Sequence, residues 1–347
     1  MKNMKIGKIE LENNLMLAPM QNVTTAPYRR FCRKLSSIGL VSVPMIYTKR
    51  IETHPQSILI DLYKIEEERP ISIQLIGSDK HSLKKSIDFL SSYNFDFLDI
   101  NAGCPSKRAI RAQEGGFLIK NLDKLKLILD TAVKYSSRPV SVKIRTGFNS
   151  AKELIGIMKV IEDSGVELVS IHSRTVKDRY DNSKFDIEAI KRLKATISIP
   201  VVGNGDIDTP QKAKNVFDYT NVDGIMIGRA SMGNPRIFNQ ISSFLNQDIL
   251  IPIENNLVKM KENLILYEEI IDEMDYTIYF SNIEDLNKFK FSELKRNAIW
   301  LTRFIENSRN IRIKLSKSKS LNDLKSILKT IFSNYVISSG ALRIKAT

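Results

Sequence analysis

Residues 95–107 read Phe-Asp-Phe-Leu-Asp-Ile-Asn-Ala-Gly-Cys-Pro-Ser-Lys, a buried-strand pattern that ends in an abrupt turn. The apolar run that ends at Ile100 predicts a parallel strand, and Gly103 and Pro105 terminate it. Because loops at the carboxyl ends of such strands carry the chemistry of α/β enzymes, we expect Cys104 to face a functional site. The alternative is that Cys104 is a small, inert hydrophobe, as most free cysteines are.

Similar short apolar runs recur along the first two thirds of the chain, with helical patterns between them. Alternating strands and helices imply a parallel sheet, and eight strands within roughly 240 residues favour an α/β fold of the (β/α)₈ TIM-barrel type. No Gly-x-Gly-x-x-Gly follows the first strand, which argues against a doubly wound fold. The predicted strands are 15–18, 39–46, 71–76, 95–100, 140–144, 166–171, 199–202 and 222–227, and the helices between them include 79–93, 121–134, 151–164 and 210–219.

The pattern becomes helical only from about residue 244. We therefore predict two domains, a barrel over residues 1–243 followed by a small all-helical domain over residues 244–347. The predicted helices of the second domain are 257–274, 282–309 and 321–335, and the basic segment 314–320 predicts a loop between two of them.

Charge is strongly positive and uneven along the chain. The net charge is +14 and the pI is near 9.5, which favours a polyanionic partner. Residues 288–347 hold fourteen Lys and Arg against three acids, whereas residues 241–287 hold two Lys against ten acids. The alternative is a Lys-rich composition that only keeps the surface soluble.

The cysteine count bears on the compartment. Cys32 and Cys104 are too few for a disulfide framework, and a lone reactive thiol needs reducing conditions, so we expect a cytoplasmic protein. Cys32 lies in a helical pattern and is predicted to serve packing only. Residues 1–6 contain no apolar secretion segment, and no apolar run could span a bilayer, so we expect neither secretion nor a membrane partner.

Seven of the eight predicted strands end in hydrogen-bonding or cationic side chains. Barrel interiors are mostly branched aliphatics, so packing alone rarely gives this pattern, and it predicts a single polar mouth. In strand order these residues are Met20 and Gln21; Gln74; Asn101 and Cys104; Lys143 and Arg145; His172 and Arg174; Asn204, Gly205 and Asp206; Gly228 and Arg229.

Two Gly-rich turns, 202–206 and 227–229, follow the seventh and eighth strands. Barrels commonly hold a phosphate there, on backbone N–H groups and a helix start. Either turn alone is weak evidence, since glycine is common in ordinary connections. Arg229 adds a charged fork suited to phosphate, so the pair predicts a phosphorylated cofactor.

Lys143 lies within an apolar strand, so its ammonium is predicted inside the barrel mouth. Because burying a charge is costly, the ammonium there is expected to have either an ion-pair or hydrogen-bond partner or a functional role. It could form a Schiff base, as in an aldolase, or stabilise negative charge on the N1–C2 carbonyl region of a flavin. The alternative is a lysine that snorkels out of the barrel. Gln74 carries an amide that could read the edge of a heterocycle.

His172 follows a predicted strand, with no further metal ligands nearby in the sequence. We therefore predict no metal site, and expect His172 to hydrogen-bond phosphate or substrate. The alternative is a core histidine whose ring nitrogens are both satisfied by the protein.

Taken in order, these residues resemble the tRNA-dihydrouridine synthase family of FMN-dependent barrels. The resemblance covers roughly residues 6–242 and continues more weakly into the tail, where 294–297 with Trp300 and Phe304, then 309–315, is similar to the family's basic tRNA-binding helix. The barrel motifs are Leu17-Ala18-Pro19-Met20, Gln74-Leu75-Ile76-Gly77, Asp99-Ile100-Asn101-Ala102-Gly103-Cys104-Pro105, Val142-Lys143-Ile144-Arg145-Thr146-Gly147, Ile171-His172-Ser173-Arg174-Thr175, Gly203-Asn204-Gly205-Asp206 and Gly228-Arg229-Ala230-Ser231-Met232-Gly233-Asn234-Pro235.

The resemblance implies reduction of the C5–C6 bond of specific uridines in tRNA. Reduced FMN would give a hydride to C6, Cys104 would give a proton to C5, and NADPH or NADH would reduce the flavin separately. The target base must be unstacked, and a basic tail could hold the RNA backbone meanwhile. FMN would be held by Pro19, Met20, Gln21, Gln74, Lys143, His172, Asn204, Gly205, Asp206, Gly228 and Arg229, and we predict substrate contacts from Asn101, Arg145, Arg174, Arg296 and Arg303.

The chain departs from the family pattern in two places. Gln21, Asn22 and Thr25 replace the usual small residue, glycine and acid of the first loop, and Ser173 replaces the usual glycine between the histidine and arginine of strand six. Both lie near the predicted cofactor, whereas the cysteine, the lysine and the phosphate turns match.

Other functions remain open from the sequence. A flavin barrel that acts on a free pyrimidine, such as a dihydroorotate dehydrogenase, and a Schiff-base aldolase both leave the basic tail unexplained. A non-catalytic RNA-binding protein on a decayed barrel would explain the tail, but Cys104, Lys143 and both Gly turns are retained. A flavin absorbance spectrum would exclude the aldolase and the decayed barrel together.

Overall fold

The computed structural model describes residues 3–254, 256–276, 279–280, 282–306 and 308–344, with side chains as far as residue 333. The chain divides into two compact units, Met1–Ala230 with Arg236–Leu250, and Ser231–Pro235 with Ile251–Thr347. The predicted role of residues 244–347 in tRNA binding stays a prediction, and Arg343 and Lys345 of the basic tail lie outside the described side chains.

The first unit is a barrel of parallel strands, which confirms the predicted (β/α)₈ fold. A hairpin of β1 (Met4–Ile6) and β2 (Ile9–Leu11) precedes it. The barrel strands are β3 (Leu15–Leu17), β4 (Val41–Ser42), β5 (Ile46–Tyr47), β6 (Ile71–Ile76), β7 (Phe97–Ala102), β8 (Val140–Arg145), β9 (Leu168–His172), β10 (Val201–Asn204) and β11 (Gly224–Ile227). Each of β6 to β10 pairs in parallel with the next strand along the chain, and β11 pairs in parallel with β3. Backbone bonds from Leu17 N to Leu40 O and from Gly39 N to Leu15 O, both 2.9 Å, join β3 to the second strand position.

Ten helices among the described residues of this unit lie before, between and after the strands. Side-chain caps fix where several begin: Asp79 accepts from the Ser82 backbone at 2.8 Å and Asn121 from the Lys124 backbone at 3.0 Å. They are α1 (Ala26–Leu35), α2 (Thr48–Thr53), α3 (Leu59–Leu62), α4 (Lys80–Leu90), α5 (Lys107–Arg111), α6 (Leu122–Tyr135), α7 (Leu154–Glu162), α8 (Ile187–Thr196), α9 (Pro210–Thr220) and α10 (Ile237–Gln247).

The amino-terminal hairpin packs against the barrel core, an arrangement that the sequence analysis did not predict. Met4, Ile6 and Leu11 share one buried cluster with Phe97 and Leu168, which begin β7 and β9. The hairpin therefore covers the amino end of the strands. The carboxyl end is left for the polar side chains.

The second strand position differs from the prediction. A single strand over 39–46 was expected, but β4 and β5 are two-residue strands that both pair with β6. Pro44 lies between them and has no N–H for a sheet hydrogen bond, so the strand breaks there.

The second unit is helical: α11 (Leu257–Glu273), α12 (Ile283–Leu301), α13 (Ser308–Ser316) and α14 (Leu321–Ile344). The single helix predicted over 282–309 was wrong, since α12 ends at Leu301 and Thr302 caps its last turn through a 2.7 Å bond to Ile299 O. The turn between α13 and α14 falls within the predicted loop 314–320. In the described part of the chain no helix is both long and apolar enough to cross a membrane.

Candidate active site

The carboxyl ends of the strands gather most of the predicted site residues of the barrel. Strand register places Asn101 beside Lys143, Arg145 beside His172, and His172 beside Asn204. Backbone pairing alone therefore brings four neighbouring strands' polar side chains to one mouth.

Cys104 follows β7 by two residues, and its side chain is half-buried. The side-chain oxygen of Asn101 accepts from the backbone nitrogens of Gly103 at 3.1 Å and Cys104 at 2.9 Å. Arg145 Nε donates to Gly103 O at 2.9 Å, and Gly116 N donates to Cys104 O at 3.0 Å. The peptide groups on both sides of Cys104 are thus held, which fixes the direction in which its Cα–Cβ bond leaves the backbone.

A chain of buried polar groups continues from Asn101 into the barrel. Asn101 Nδ2 donates to Gln74 Oε1 at 2.9 Å, and Gln74 Nε2 donates to Asp99 Oδ2 at 2.6 Å. The other oxygen of Asp99 accepts from Ser141 Oγ at 2.6 Å. Burial raises the pKa of Asp99, and the bonds from Ser141 and Gln74 oppose that rise. Since Asn101 and Asp99 use one acceptor site and one N–H of the Gln74 amide, its second N–H and second lone pair remain for a ligand.

Lys143 lies in β8 with its side chain half-buried. Its Nζ donates to Asn204 Oδ1 at 3.0 Å, and Asn204 Nδ2 donates to Met226 O at 2.7 Å. Among the described residues, no carboxylate lies within the 4.0 Å limit for an ion pair with this ammonium. Burial, reinforced by the like charge of Arg145, lowers the pKa of Lys143 to about 8. A desolvated cation without a counter-ion suits an anionic ligand.

His172 is neutral, because burial and the cations Lys143, Arg145, Arg174 and Arg229 hold its pKa far below the usual range. Arg174 Nη1 lies 3.2 Å from His172 Nε2. A guanidinium can only donate, so Nε2 accepts and the ring proton is assigned to Nδ1. His172 is left able to donate one hydrogen bond through Nδ1.

Arg174, predicted to contact substrate, has a side chain with 0% exposure. Besides His172, its guanidinium binds the Asp206 carboxylate and Asp181 O, the latter at 2.5 Å. The structure therefore places Arg174 behind the mouth, where it orients His172 and Asp206.

The turn after β10 needs a glycine. Gly205 has φ +128°, and a Cβ there would lie 2.6 Å from Ser173 Oγ and 3.2 Å from His172 Cδ2. Asp206 follows with φ +43° and accepts from Arg229 Nη2 at 3.0 Å. Because a carboxylate repels phosphate, Asp206 would serve a phosphate site by holding Arg229, whose side chain is 53% exposed.

Met20 and Gly228 bring the first and last strand ends together. A Cβ at Gly228 would lie 3.4 Å from Met20 Sδ and 3.6 Å from Ala18 Cβ, so the missing side chain keeps this side of the mouth open. Thr24 holds the first loop by accepting from Met20 N at 3.1 Å. Pro19 is half-buried and Gln21 is exposed.

Arg145, also predicted to contact substrate, is 2% exposed and acts within the protein. Besides Gly103 O, it donates to Thr175 O at 2.8 Å and Arg179 O at 2.6 Å. Arg145 thereby joins the Cys104 loop to the loop that follows β9.

Comparison with known proteins agrees with this geometry. A family model described as dihydrouridine synthase (Dus) matches residues 16–334. The chain belongs to the dihydrouridine synthase family. It is similar to proteins named tRNA-dihydrouridine synthase B from Pasteurella multocida (35% identity over 249 residues, 72% of this chain and 74% of that protein) and Vibrio cholerae (36% over 251 residues, 72% and 77%).

Solved structures add support for the fold alone. The dihydrouridine synthase barrel resembles a 2-naphthoyl-CoA reductase complex, with TM-score 0.53 and 14% identity over 70% of this chain and 52% of that one. It also resembles morphinone reductase, with TM-score 0.52 and 9% identity over 73% and 90% of the two chains.

The two predicted RNA contacts in the helical unit of this dihydrouridine synthase differ in their surroundings. Arg296 pairs with Glu293, whose side chain is 2% exposed and whose other oxygen accepts from Tyr267 at 2.7 Å. Arg303 is exposed, and its guanidinium lies 5.1 Å from the centroid of the Phe304 ring. Arg296 thus pairs within α12 and keeps 30% of its side chain exposed, while Arg303 is exposed.

Sequence reasoning missed Asp99 and Ser141 as parts of the site. For Asp99 the sequence did contain a signal, because a carboxylate in the apolar strand 95–100 is expected to be buried. A buried charge needs hydrogen-bond or ion-pair partners, as Lys143 does. No sequence signal indicated that the Tyr47 ring, at the end of β5, lies against Arg108 of the helix that follows Cys104, because that contact depends on how β5 packs. Among the described residues, no three His, Cys, Asp or Glu side chains form a possible metal site.

Proposed function

We propose that this dihydrouridine synthase reduces the C5–C6 bond of uridine in tRNA, with FMN as its cofactor and NADPH or NADH as the reductant. The similar curated proteins are named for that activity on tRNA. The observation that carries the proposal is that one barrel mouth holds both Cys104, on a hydrogen-bonded loop after β7, and the partly desolvated ammonium of Lys143 on the neighbouring strand β8.

The residues present fit a flavin mononucleotide. Lys143 has no carboxylate within ion-pair distance among the described residues and would face the anionic N1–C2 region, while Gln74 offers one N–H to the ring edge. His172 offers Nδ1–H, and Arg229, held by Asp206, offers a charged fork, so both suit the phosphate. Pro19, Met20, Gln21, Asn204, Gly205 and Gly228 would complete the cofactor site.

When bound, FMN supplies the hydride for uridine C6. The chain's own contribution is then to provide one proton at C5, which we assign to the Cys104 thiol. A thiol positioned beside the substrate can transfer its proton to carbon as a general acid. Asn101 holds the backbone from which that thiol projects, through the N–H groups of residues 103 and 104.

Residues 244–347 would bind tRNA, chiefly through exposed cations of the second unit such as Arg303, Arg309 and Arg312. Electrostatic attraction to phosphates supplies most sequence-independent affinity for nucleic acid. A uridine must leave its stack to be reduced, so a separate hold on the backbone lowers the cost of extruding it.

The test is reconstitution with defined components. The purified protein should be yellow, release FMN on denaturation, and form dihydrouridine in tRNA from cells that lack dihydrouridine synthases when NADPH or NADH is added. Orotate and free uracil serve as competing substrates. Reduction of orotate or uracil with no product in tRNA would favour an enzyme of free pyrimidines, and colourless protein that binds no FMN would overturn the cofactor.

A further inference from the structure

Three cations on α5 lie beside Cys104 and outside the predicted cofactor site. Lys107, Arg108 and Arg111 are all exposed, and the helix that carries them begins three residues after Cys104. Gly115 and Gly116, just beyond the helix, fold back onto Cys104, since Gly116 N bonds Cys104 O at 3.0 Å. The helix therefore borders the mouth at the thiol.

These cations have no ion-pair partner among the described side chains. Elsewhere on the barrel, exposed lysines pair with a carboxylate one helical turn away, such as Lys84 with Asp88 at 2.7 Å and Lys126 with Asp130 at 2.9 Å. Glu114 follows α5 in the chain, and burial raises its pKa, an effect that Arg108 and Lys124 oppose. The charge on α5 is thus largely uncompensated.

Arg108 is also held in place. Its guanidinium lies 3.9 Å from the centroid of the Tyr47 ring, at the end of β5. Burial raises the pKa of Tyr47, and Cys104 and Glu114 add to that rise, which places the phenol within electrostatic reach of the thiol. Stacking on the ring orders the guanidinium plane and leaves its outer side for a further flat group, such as a base.

We propose that Lys107, Arg108 and Arg111 form a rim that binds the backbone of the single-stranded RNA flanking the target uridine. Lys107 and Arg111 are four residues apart on one helix face, so each can neutralise its own phosphate. Separate exposed cations suit an extended chain of phosphates better than the compact pyrophosphate of a nicotinamide dinucleotide. The inference rests on the proposed function.

The test compares two double variants that remove the same charge. Lys107→Ala/Arg111→Ala removes two rim cations, and Lys126→Ala/Lys214→Ala removes two exposed lysines that pair with Asp130 and Asp218. Binding of unmodified tRNA transcript is measured by fluorescence anisotropy across a salt series. We expect the rim variant to bind roughly tenfold more weakly, with a log–log salt slope smaller by about one to two units, and the control to match wild type. An equal loss of tRNA affinity in both double variants, or no loss in either, would overturn the proposal that the rim binds RNA.

Arg108→Lys tests the stack without altering charge or a buried residue. We expect weaker binding at an unchanged salt slope, since a lysine still neutralises the phosphate but cannot supply the ordered guanidinium plane. Flavin reduction by NADPH should proceed at the wild-type rate in every rim variant. Slower reduction with unchanged RNA binding would assign the cations to the dinucleotide and overturn the proposal.

Wild-type activity separates failure of the rim from failure of the proposed function. If the wild-type protein forms no dihydrouridine but the rim variants still lose RNA affinity, the proposed reaction is wrong, and the proposal that the rim binds RNA is supported. If the wild-type protein forms dihydrouridine and the rim variants bind RNA and react as the wild type does, the proposal that the rim binds RNA is wrong and the proposed reaction is supported.

Discussion

Asn101 holds Cys104 through the main chain, with its side-chain oxygen 2.9 Å from the Cys104 nitrogen. The same oxygen accepts from Gly103 N, so the amide closes a tight turn directly before the thiol. Asn101 is in turn held by Gln74, and Gln74 by the buried Asp99. The backbone position of Cys104 is therefore set from the barrel interior.

Replacement of Cys104 by alanine separates proton donation from cofactor binding. We expect Cys104→Ala to purify with its flavin and to be reduced by NADPH at the wild-type rate, because its backbone contacts do not need the thiol. Dihydrouridine formation in tRNA should fall by at least about 10²-fold, the usual contribution of a positioned acid. Wild-type turnover would remove Cys104 from that role.

Asn101→Ala should lower turnover although the thiol remains. The variant loses the acceptor for two backbone N–H groups, so the loop can leave its turn and the thiol its direction. We expect kcat to fall by more than tenfold, with KM for tRNA and flavin content nearly unchanged. Asn101→Asp keeps the acceptor but loses the donor to Gln74, and partial recovery of kcat in it would separate the two bonds. A rise in KM alone would instead indicate direct contact with the pyrimidine.

Lys143 makes cofactor affinity depend on pH. Its pKa is lowered to about 8 in the free protein, and a bound anion would raise it again, so FMN affinity should fall as pH increases above about 8, by up to tenfold per unit. Stability of the flavin-free protein changes in the opposite direction, because the unfolded lysine keeps its proton to about pH 10.4 and unfolding becomes costlier between these values.

Titration of flavin-free protein with FMN at several pH values checks this, with Lys143→Met as the control. The variant should bind FMN weakly and without this pH dependence, and Arg229→Ala should bind weakly at every pH. Full FMN stoichiometry in both purified variants would place the cofactor elsewhere.

Much of the barrel could be predicted from the sequence, because its signals are local. Buried parallel strands appear as apolar runs, and β6 agrees with the predicted 71–76 at both ends. The prediction of a single strand at the second position was wrong because Pro44 interrupts an otherwise apolar run. The amino-terminal hairpin was missed because three-residue strands give too short a pattern, and only their packing on Phe97 and Leu168 makes them part of the core.

In the candidate site, too, some features could be predicted from the sequence and others could not. Residue types and strand ends indicated where Lys143 and Cys104 would lie, since strand register follows from the fold. Sequence could not tell an arginine that faces a ligand from one that faces the protein. Arg145 and Arg174 lie at strand ends like the rest, yet their donors go to backbone carbonyls, a carboxylate and a histidine, which depends on loops folding over them.

Arg145→Ala should destabilise the barrel as well as the Cys104 loop. It leaves the carbonyls of Gly103, Thr175 and Arg179 without their donor and opens a cavity, which costs about 2–4 kcal/mol of unfolding free energy. Arg145→Lys keeps the charge but not the fork, so we expect an intermediate loss. Urea unfolding measures both. Stability equal to wild type, with a raised KM for tRNA, would restore the predicted substrate contact.

The arginines of the helical unit should separate into structural and RNA-binding ones. Arg303 and Arg309 are exposed, so Arg303→Ala/Arg309→Ala should weaken tRNA binding and flatten its salt dependence by about one log–log unit for each phosphate that is no longer neutralised. Arg296 is paired with the nearly buried Glu293, so Arg296→Ala should lower the stability of the unit, because it removes the guanidinium that neutralises this carboxylate. Measuring tRNA binding across a salt series and thermal unfolding on all variants separates RNA-binding arginines from structural ones. Flavin reduction by NADPH should be unchanged in all of them, since that half-reaction is expected to need only the barrel. Unchanged affinity and slope in the double variant would mean that these arginines are an ordinary solvated helix face.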